Sequence, residues 1–245
     1  MIRVALLVYN EAESISSVLL QLKKCLTATG SKFRVYVVND GSTDDTVARV
    51  QGLSDEFPVT ILNHEINLGV ARAFDTGLRA ALHESRPDDV IVTMEADGTS
   101  QAEVVVAMAD RVHQGFDVVC ASRYKEGGGY VHFPWKRRAF CAGANWMLRF
   151  LFPIAGVCDY TIFFRAYRAS LLKEAFEYYD GAMIQARGFV SNAEILIKLR
   201  PLRPKATECA MIYDYSLKKS ASKMNVWSTT IEYFMFIWNQ IFRIT

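Results

Sequence analysis

The sequence predicts an α/β fold in which a mostly parallel central sheet is flanked by helices. Short apolar segments rich in β-branched residues alternate with amphipathic segments of helical spacing through the first half of the 245-residue chain. This alternation is typical of strand–helix units, which place parallel strands in one sheet and helices on its faces. Hydrophobic residues make up 51% of the chain, which is enough for one substantial core.

The first half contains five predicted strands separated by four predicted helices. Each helical segment repeats apolar side chains every three or four residues, as Ile15, Val18, Leu19 and Leu22 do in the first of them. We therefore expect a sheet that is buried on both faces. The strands are predicted at residues 2–8, 33–38, 59–62, 90–94 and 117–121, and the helices at 11–25, 44–53, 70–85 and 101–114.

The second half follows a different pattern and ends in an aromatic-rich segment. A glycine run predicts a flexible loop near residue 127, and later segments predict two further helices and two further strands. Residues 1–224 are predicted to form one domain, and residues 225–245 a C-terminal amphipathic helix. In order, the predicted segments are a helix at 133–152 that begins with basic residues and continues with apolar ones, a strand at 159–167, a loop and helix at 186–199, and a strand near 209–215.

Composition excludes several classes of protein. A net charge of only +2 argues against a protein that coats nucleic acid. The five cysteines are scattered without a C-x-x-C pair, which argues against a disulfide framework or a zinc site and favours a reducing compartment. The first residues do not read as a signal peptide, and no run of 18 apolar residues predicts a spanning helix. We therefore expect a cytoplasmic protein.

Polar side chains follow three of the predicted strands. Tyr9, Asn10 and Glu11 follow the first strand, Asp40 follows the second, and 95–97 follows the fourth. Because ligands of open parallel sheets bind at the carboxyl ends of the strands, these residues are expected to meet at one rim. By itself, Asp40 is equally compatible with a structural turn and with binding a nucleobase or ribose.

Glu95 and Asp97 are the main candidates for a metal site. Two positions apart in an extended segment, their side chains point the same way. Such a carboxylate pair can hold Mg²⁺ or Mn²⁺, with substrate phosphates completing the coordination shell. No G-x-G-x-x-G follows the first strand and no G-K-[ST] occurs, so a dinucleotide-binding dehydrogenase and a P-loop NTPase are disfavoured.

Several motifs together resemble those of family 2 glycosyltransferases. In the first half they are LVYNE at 7–11, VVNDGSTD at 37–44, NLG at 67–69 and MEAD at 94–97. In the second half ASRY at 121–124, WKRR at 135–138, GAN at 143–145, DYT at 159–161 and SKM at 222–224 are similar to dolichyl-phosphate mannose synthases and to bacterial polyprenyl-phosphate glycosyltransferases. The resemblance implies a GT-A fold with a Rossmann-like nucleotide-binding half, a nucleotide-sugar donor and a polyprenyl-phosphate acceptor.

The resemblance also implies roles for individual residues. Glu95 and Asp97 would hold the metal ion and the donor diphosphate, and Asp159 would lie near the reacting sugar. Catalysis would fall to Asp97, Asp159, Arg123 and Arg137. The acceptor phosphate would be bound by Arg123, Arg137 and Lys223. The nucleotide would be bound by Tyr9, Asn10, Glu11, Asn39, Asp40, Gly41, Asn67, Gly69 and Ala96.

Some positions depart from the family pattern, mostly in the acceptor half. Glu95 stands where Asp is usual, Cys141 where Ser is usual, and Phe163 where Gly is usual. The stretch 213–222 lacks the usual Arg and the usual Gly. These changes bear on the identity of the sugar and the acceptor more than on the type of reaction.

The nature of the acceptor decides which residues catalysis requires. A phosphate monoester has a second pKa of roughly 6 and attacks without a general base, which suits a site rich in arginine. A saccharide acceptor, the main alternative, requires a base, and Asp159 is the candidate. A nucleotide-binding homologue without catalytic activity is a second alternative. A nucleotidyltransferase is disfavoured because no glycine-rich basic loop follows the first strand.

The C-terminal helix has two competing interpretations. Its apolar stripe, which includes Ile231, Phe234 and Trp238, is expected either to pack on the domain or to lie in a membrane interface. In the second case Lys218, Lys219 and Lys223 would meet anionic headgroups, and the protein would be peripheral at the cytoplasmic face of a membrane. Binding to a partner helix is a weaker option. The four histidines are scattered and are read as surface or packing residues.

Overall fold

The computed structural model describes residues 1–55, 58–219 and 226–242, and it confirms the α/β fold. Its centre is a seven-stranded sheet, accompanied by a separate two-stranded sheet. The strands are β1 (Ile2–Val8), β2 (Phe33–Asp40), β3 (Val59–His64), β4 (Val90–Glu95), β5 (Val118–Ser122), β6 (Gly129–Val131), β7 (Arg165–Arg168), β8 (Ala206–Ala210) and β9 (Ile212–Asp214).

The central sheet is parallel except for one inserted strand. Its order is β3-β2-β1-β4-β7-β5-β8, and β7 runs antiparallel to both β4 and β5. Arg165 at the start of β7 lies opposite Thr93 near the end of β4. The residues that precede β7 therefore lie at the carboxyl edge of the parallel strands. The predicted strand at 159–167 is consequently shorter than expected, because its first residues form part of that edge.

The helices cover the sheet largely as the periodicity predicts. They are α1 (Ile15–Ala28), α2 (Thr46–Gln51), α3 (Val70–His83), α4 (Ala102–His113), α5 (Trp135–Leu151), α6 (Ala169–Tyr178), α7 (Ser191–Lys198) and α8 (Val226–Phe242). Every residue of β1 is buried, as expected for a strand covered on both faces. The first helix begins at Ile15 instead of residue 11, since the Ser14 amide closes a tighter turn onto the carbonyl of Glu11 and the first i to i−4 bond is that of the Ile15 amide.

Helix α3 lies unusually close to the sheet at a glycine. A Cβ atom on Gly77 would lie 3.0 Å from side-chain atoms of both Ala5 and Val38. Glycine therefore lets α3 settle directly on β1 and β2. This position matters for the site because the N-terminus of α3 follows Gly69 at the carboxyl edge of the sheet.

One face of α8 packs on the domain. Thr229, Tyr233, Phe236 and Ile237 are buried, and the ring of Tyr233 lies 6.3 Å from that of Phe140 on α5. This face of α8 therefore packs on the domain, as the first of the two interpretations predicted. The predicted domain boundary at residue 224 and the predicted phosphate ligand Lys223 lie outside the described residues.

Two further expectations concern cysteines and membrane spans. All five cysteines lie in described parts of the chain, and each is a free thiol. Within the described residues, no helix combines the length and hydrophobicity that crossing a bilayer requires.

A buried ion pair joins the amino ends of β1 and β4. Nε of Arg3 donates to Oδ2 of Asp89 at 3.0 Å, and the N-terminal amine lies 3.1 Å from Oδ1 of the same carboxylate. The Arg3 and Asp89 side chains are only 5% and 7% exposed. Burial alone would raise the pKa of Asp89, but the amide of Arg86, the Arg3 guanidinium and the N-terminal amine hold it below its ordinary value.

We expect Asp89→Asn to lower the free energy of unfolding by up to roughly 3 kcal/mol at neutral pH, because it leaves the buried Arg3 charge with only the half-exposed carboxylate of Glu84, 3.6 Å away. Since the pKa of Asp89 is depressed in the folded state, its contribution is present above the unfolded pKa and is lost as the pH falls through the folded value. Urea denaturation at a series of pH values should therefore show the difference from wild type shrinking at acid pH.

The neighbouring substitution Asp88→Asn is the control, since that side chain is 95% exposed. It should change stability little at any pH. A variant at Asp89 that unfolds like the Asp88 variant throughout the pH series would contradict the assigned role of the ion pair.

Candidate active site

A cavity of about 390 Å³ opens at the carboxyl edge of the sheet and gathers most of the predicted site residues. Those that line it are Tyr9, Glu11, Asp40, Asn67, Gly69, Glu95, Ala96, Asp97, Arg123 and Arg137. Four other predicted residues, Asn10, Asn39, Gly41 and Asp159, are not among the lining residues. Additional lining residues that sequence reasoning did not select include Phe189, Tyr213, Tyr215 and Lys218.

Asp40 shapes the loop that lines one side of the cavity. Its carboxylate accepts hydrogen bonds from the amides of Leu68 and Gly69, both at 2.9 Å. Nδ1 of His64 lies 2.7 Å from the same carboxylate, and its Nε2 lies 3.0 Å from the hydroxyl of Thr76. His64 is thus part of the support of the site, which its isolated position in the sequence did not indicate.

Asn10 and Asn39 do not line the cavity but hold the backbone turn beside it. Asn10 adopts a positive φ of 51°, and its side-chain oxygen accepts from the amide of Thr43 at 2.8 Å. The side-chain oxygen of Asn39 accepts from the amide of Ser42 at 3.0 Å. In this structure both asparagines therefore fix the turn between β2 and α2. Their predicted contacts with a nucleotide remain a prediction.

Gly41 occupies a position that no other residue fits. Its φ is +71°, and a Cβ atom there would lie 2.5 Å from the backbone nitrogen of Asn67. The turn after β2 therefore packs backbone to backbone against the loop that carries Asn67 and Gly69 into the cavity.

Glu95 and Asp97 lie at the end of β4, as predicted for a metal site. Asp97 is almost fully buried, and its Oδ1 accepts from the amide and the hydroxyl of Thr99 at 3.0 and 2.6 Å. Within the described residues, no group of three or more His, Cys, Asp or Glu side chains is arranged to hold a metal ion. Two carboxylates can hold Mg²⁺ or Mn²⁺ when substrate phosphates complete the coordination shell, and the binding of a cation by Glu95 and Asp97 remains a prediction.

Lys218 lies against this carboxylate pair. Its ammonium group forms an ion pair with Oδ2 of Asp97, and its side chain is largely buried. Burial alone would lower the pKa of Lys218, but the negative charges of Asp97, Glu95 and Glu11 raise it above its ordinary value. The expectation that Lys218 meets membrane headgroups is wrong for this structure, because the side chain points into the cavity.

Arg123 and Asp159 form a buried bidentate ion pair. Nε and Nη2 of the arginine donate to the two carboxylate oxygens at 2.7 and 2.6 Å, and Nη2 also donates to Thr161 at 2.7 Å. Asp159 is fully buried, and burial alone would raise its pKa. The Arg123 guanidinium instead holds the pKa of Asp159 below its ordinary value. Asp159 is therefore an anion that orients Arg123, and its predicted position beside the reacting sugar remains a prediction.

Aromatic rings and buried polar side chains fix the surroundings of this pair. The guanidinium carbon of Arg123 lies 5.2 Å from the centre of the Tyr130 ring and 6.0 Å from that of Tyr213. Glu208 accepts from the amides of Cys158 and Asp159 at 2.6 and 2.7 Å. Sequence reasoning did not select Glu208, which directly precedes the strand predicted near 209–215.

Arg137 reaches the cavity from the first turn of α5. Its Nη1 donates to the hydroxyl of Tyr215 at 3.2 Å. Cys141, one turn further along α5, also lines the cavity, and burial raises the pKa of its thiol. Arg123 and Arg137 are thus presented to the same space as the carboxylate pair.

Comparison with known proteins identifies the class of protein. Residues 4–179, well over half of the chain, match the family model for glycosyl transferase family 2. The protein is therefore a glycosyltransferase with a GT-A-like fold, and it belongs to family 2.

Curated relatives within this family are named for sugar transfer to lipid phosphates. The chain is 31% identical over 193 residues to polyprenol monophosphomannose synthase of Mycolicibacterium smegmatis, covering 76% of this chain and 67% of that protein. It is 29% identical over 191 residues to dolichol-phosphate mannosyltransferase of Pyrococcus furiosus, covering 78% of this chain but only 50% of that protein. It is 28% identical over 206 residues to undecaprenyl-phosphate mannosyltransferase of Micrococcus luteus, covering 84% of this chain and 80% of that protein.

Solved structures share the fold. Glucosyl-3-phosphoglycerate synthase from Mycobacterium tuberculosis, crystallised with Mn²⁺, UDP and phosphoglyceric acid, superimposes with a TM-score of 0.64. The match covers 98% of this chain and 78% of that chain at 16% sequence identity. At this identity the likeness confirms the GT-A-like fold alone.

We expect Gly41→Ala to weaken nucleotide binding by about tenfold, which corresponds to about 1.4 kcal/mol of lost contacts. The new methyl group would displace the backbone of Asn67 and with it the loop that lines the cavity. Isothermal titration with GDP and UDP in the presence of Mn²⁺ measures this effect.

Gly30→Ala is the matched control, because Gly30 has a similar φ of +66° but has no atoms within 4 Å of the added Cβ position. Gly30→Ala should lower the stability by about 1 kcal/mol through the left-handed backbone alone, and Gly41→Ala should lower it further because of the backbone clash with Asn67. Only the substitution at Gly41 should change affinity, and equal affinities for the two variants would contradict this account.

Proposed function

We propose that the protein transfers a sugar from a nucleotide diphosphate sugar to a polyprenyl phosphate, with inversion at the anomeric carbon. The donor is of the GDP-mannose or UDP-glucose type. The observation that carries this proposal is that one cavity is lined both by the carboxylate pair Glu95 and Asp97 and by Arg123 and Arg137. The names of the three relatives support the same acceptor class.

The donor side of the cavity has the groups that a departing diphosphate requires. A divalent cation, Mg²⁺ or Mn²⁺, held at Glu95 and Asp97 would offset the negative charge that develops on the leaving group. Tyr9, Glu11 and the loop shaped by Asp40 lie along the same edge, where they would bind the nucleoside.

The acceptor side favours a phosphate. Arginine suits a phosphate because its guanidinium donates charge-assisted hydrogen bonds to phosphate oxygens. In Arg123, Nε and Nη2 donate to Asp159 and Thr161, so a phosphate would contact Nη1, and Arg137 would supply the second guanidinium. A phosphate oxygen of the acceptor attacks the anomeric carbon while the bond from that carbon to the donor diphosphate breaks on the opposite face. The acceptor is already anionic at neutral pH, so this step requires no proton transfer.

The alternative acceptor, a saccharide hydroxyl, has less support. It requires a general base, and the candidate Asp159 is buried and paired with Arg123. Among the described residues that line the cavity, none is a histidine. A nucleotide-binding homologue without activity is the remaining alternative, and it predicts nucleotide binding without transfer to any acceptor.

An exposed apolar surface supports attachment to the membrane that holds a lipid acceptor. On α8, Ile231, Phe234, Met235 and Trp238 lie on the side opposite the packed face, and each is about 60% exposed. On the adjoining α5, Trp135, Trp146 and Phe150 are more exposed still, and the last two are stacked with ring centres 6.0 Å apart. Exposed aromatic side chains on amphipathic helices favour a bilayer interface. The protein would accordingly be peripheral at the cytoplasmic face of a membrane.

We expect Arg137→Gln to raise the KM for a polyprenyl phosphate by about 10- to 100-fold, because a charge-assisted hydrogen bond to phosphate contributes about 1.5–3 kcal/mol. Donor affinity should not change. The assay follows transfer of labelled sugar from GDP-mannose and from UDP-glucose into undecaprenyl phosphate, and titration calorimetry measures donor binding separately.

The adjacent Arg138→Gln is the control, since Arg138 is exposed and is not among the residues that line the cavity. Transfer to an oligosaccharide but not to the lipid would establish the alternative acceptor. Binding of nucleotide without transfer to either acceptor would establish the inactive homologue.

We expect the double substitution Ile231→Ser and Phe234→Ser to reduce binding to liposomes that contain anionic lipid by about tenfold or more, because two apolar side chains no longer enter the interface. Co-sedimentation measures the bound fraction. Leu20→Ser on α1, which removes an exposed leucine from a different surface, should leave binding unchanged. Equal sedimentation of the double variant and wild type would show that α8 does not attach the protein.

A further inference from the structure

A short segment of chain crosses the cavity and ends on the carboxylate pair. After β9, residues Tyr215–Leu217 form a 3₁₀ turn that is capped by Asp214, whose carboxylate accepts from the amide of Ser216 at 3.0 Å. The next residue, Lys218, forms the ion pair with Asp97. We call residues 215–218 the strap.

The strap is seated closely at both of its ends. At the acceptor side, the hydroxyl of Tyr215 accepts from Arg137 at 3.2 Å. At the metal side, the carbonyl of Leu217 lies over Gly98, where an added Cβ atom would come within 3.3 Å of it. The glycine directly after Asp97 therefore leaves room for the strap to place Lys218 on the carboxylate.

The charges in this part of the cavity explain why Lys218 lies there. Glu95, Asp97 and Glu11 line the same cavity as Lys218, and the Lys218 ammonium group is paired with Asp97. Buried carboxylates that are not neutralised by a cation are strongly unfavourable. Lys218 supplies one positive charge to the same Asp97 that, in the proposed function, contributes to binding a divalent cation.

We propose that Lys218 and the divalent cation are alternative counter-ions of Asp97, so that loading of metal and donor displaces the strap from the carboxylate pair. The inference rests on the metal site of the proposed function. Its consequence is that the protein holds its own cation in the site until a metal ion exchanges with it. The apparent affinity for the metal is then reduced by the fraction of molecules in which Lys218 is paired.

The test measures Mn²⁺ binding without nucleotide or acceptor, using the electron paramagnetic resonance signal of free Mn²⁺. We expect Lys218→Gln to bind Mn²⁺ about tenfold more tightly than wild type, the gain that follows when the ion pair forms in about nine molecules in ten. Lys218→Arg, which keeps the charge, should restore weak binding. Asp97→Asn in the Lys218→Gln background should abolish the tight binding and so assign it to this site.

Lys219→Gln is the matched control. It removes the same charge one residue later, from an exposed side chain whose ammonium group lies 3.4 Å from the carbonyl of Glu13. It should leave Mn²⁺ affinity unchanged, which separates the ion pair from an effect of net charge. A thermal melt of each variant establishes that it is folded.

Unchanged or weaker Mn²⁺ binding by a folded Lys218→Gln variant would overturn the proposal. So would equal tightening by the Lys219 variant. The measurement involves neither donor nor lipid, so its outcome is independent of which acceptor the enzyme uses. Failure of transfer to undecaprenyl phosphate would contradict the proposed acceptor and leave the counter-ion exchange standing.

Discussion

The buried ion pair between Arg123 and Asp159 is the interaction on which the acceptor side of the cavity depends. Arg123 directly follows β5, and Asp159 precedes the antiparallel strand β7, so the pair joins two segments that are 36 residues apart. Two charges buried this deeply are stable only as a well-bonded pair. Glu208 binds the backbone of the Asp159 segment, and Thr161 is held against the same guanidinium. Loss of either charge would leave the other buried without compensation.

The charges of the site are balanced by the protein itself. Asp159 neutralises Arg123 at one place, and Lys218 neutralises Asp97 at another. Both pairs border the same cavity, which is also lined by Arg137 of α5 and by Tyr215 of the strap, to whose hydroxyl Arg137 donates. Substrates that carry phosphate groups, and cations that accompany them, therefore enter a site whose own ions are already paired. In the proposed exchange a cation takes the place of Lys218 on Asp97, whereas Arg123 keeps its contacts with Asp159.

The sequence predicted the fold more fully than the roles of individual site residues. The predicted strand at residues 2–8 coincides with β1, and the prediction at 90–94 falls one residue short of β4, because buried strands are continuous apolar runs. Glu11, Asp40 and Asp97 were expected at the rim and do line the cavity. Asn39 and Gly41 belong to the same motif as Asp40, but they stabilise the turn after β2 and do not line the cavity. A motif identifies neighbouring residues of a site, whereas backbone geometry decides which of them line the cavity.

The sequence by itself determined the alternating strands and helices, the rim of polar strand ends, the carboxylate pair and the family, since these depend on local periodicity and on residues adjacent in the chain. Only the tertiary structure decided that β7 is inserted antiparallel, because strand direction depends on contacts with β4 and β5 that are distant in sequence. For the same reason only the fold could pair Asp159 with Arg123 and bring Lys218 onto Asp97, from 121 residues away. Such ion pairs form where burial makes an isolated charge unfavourable, and burial is a property of the folded chain.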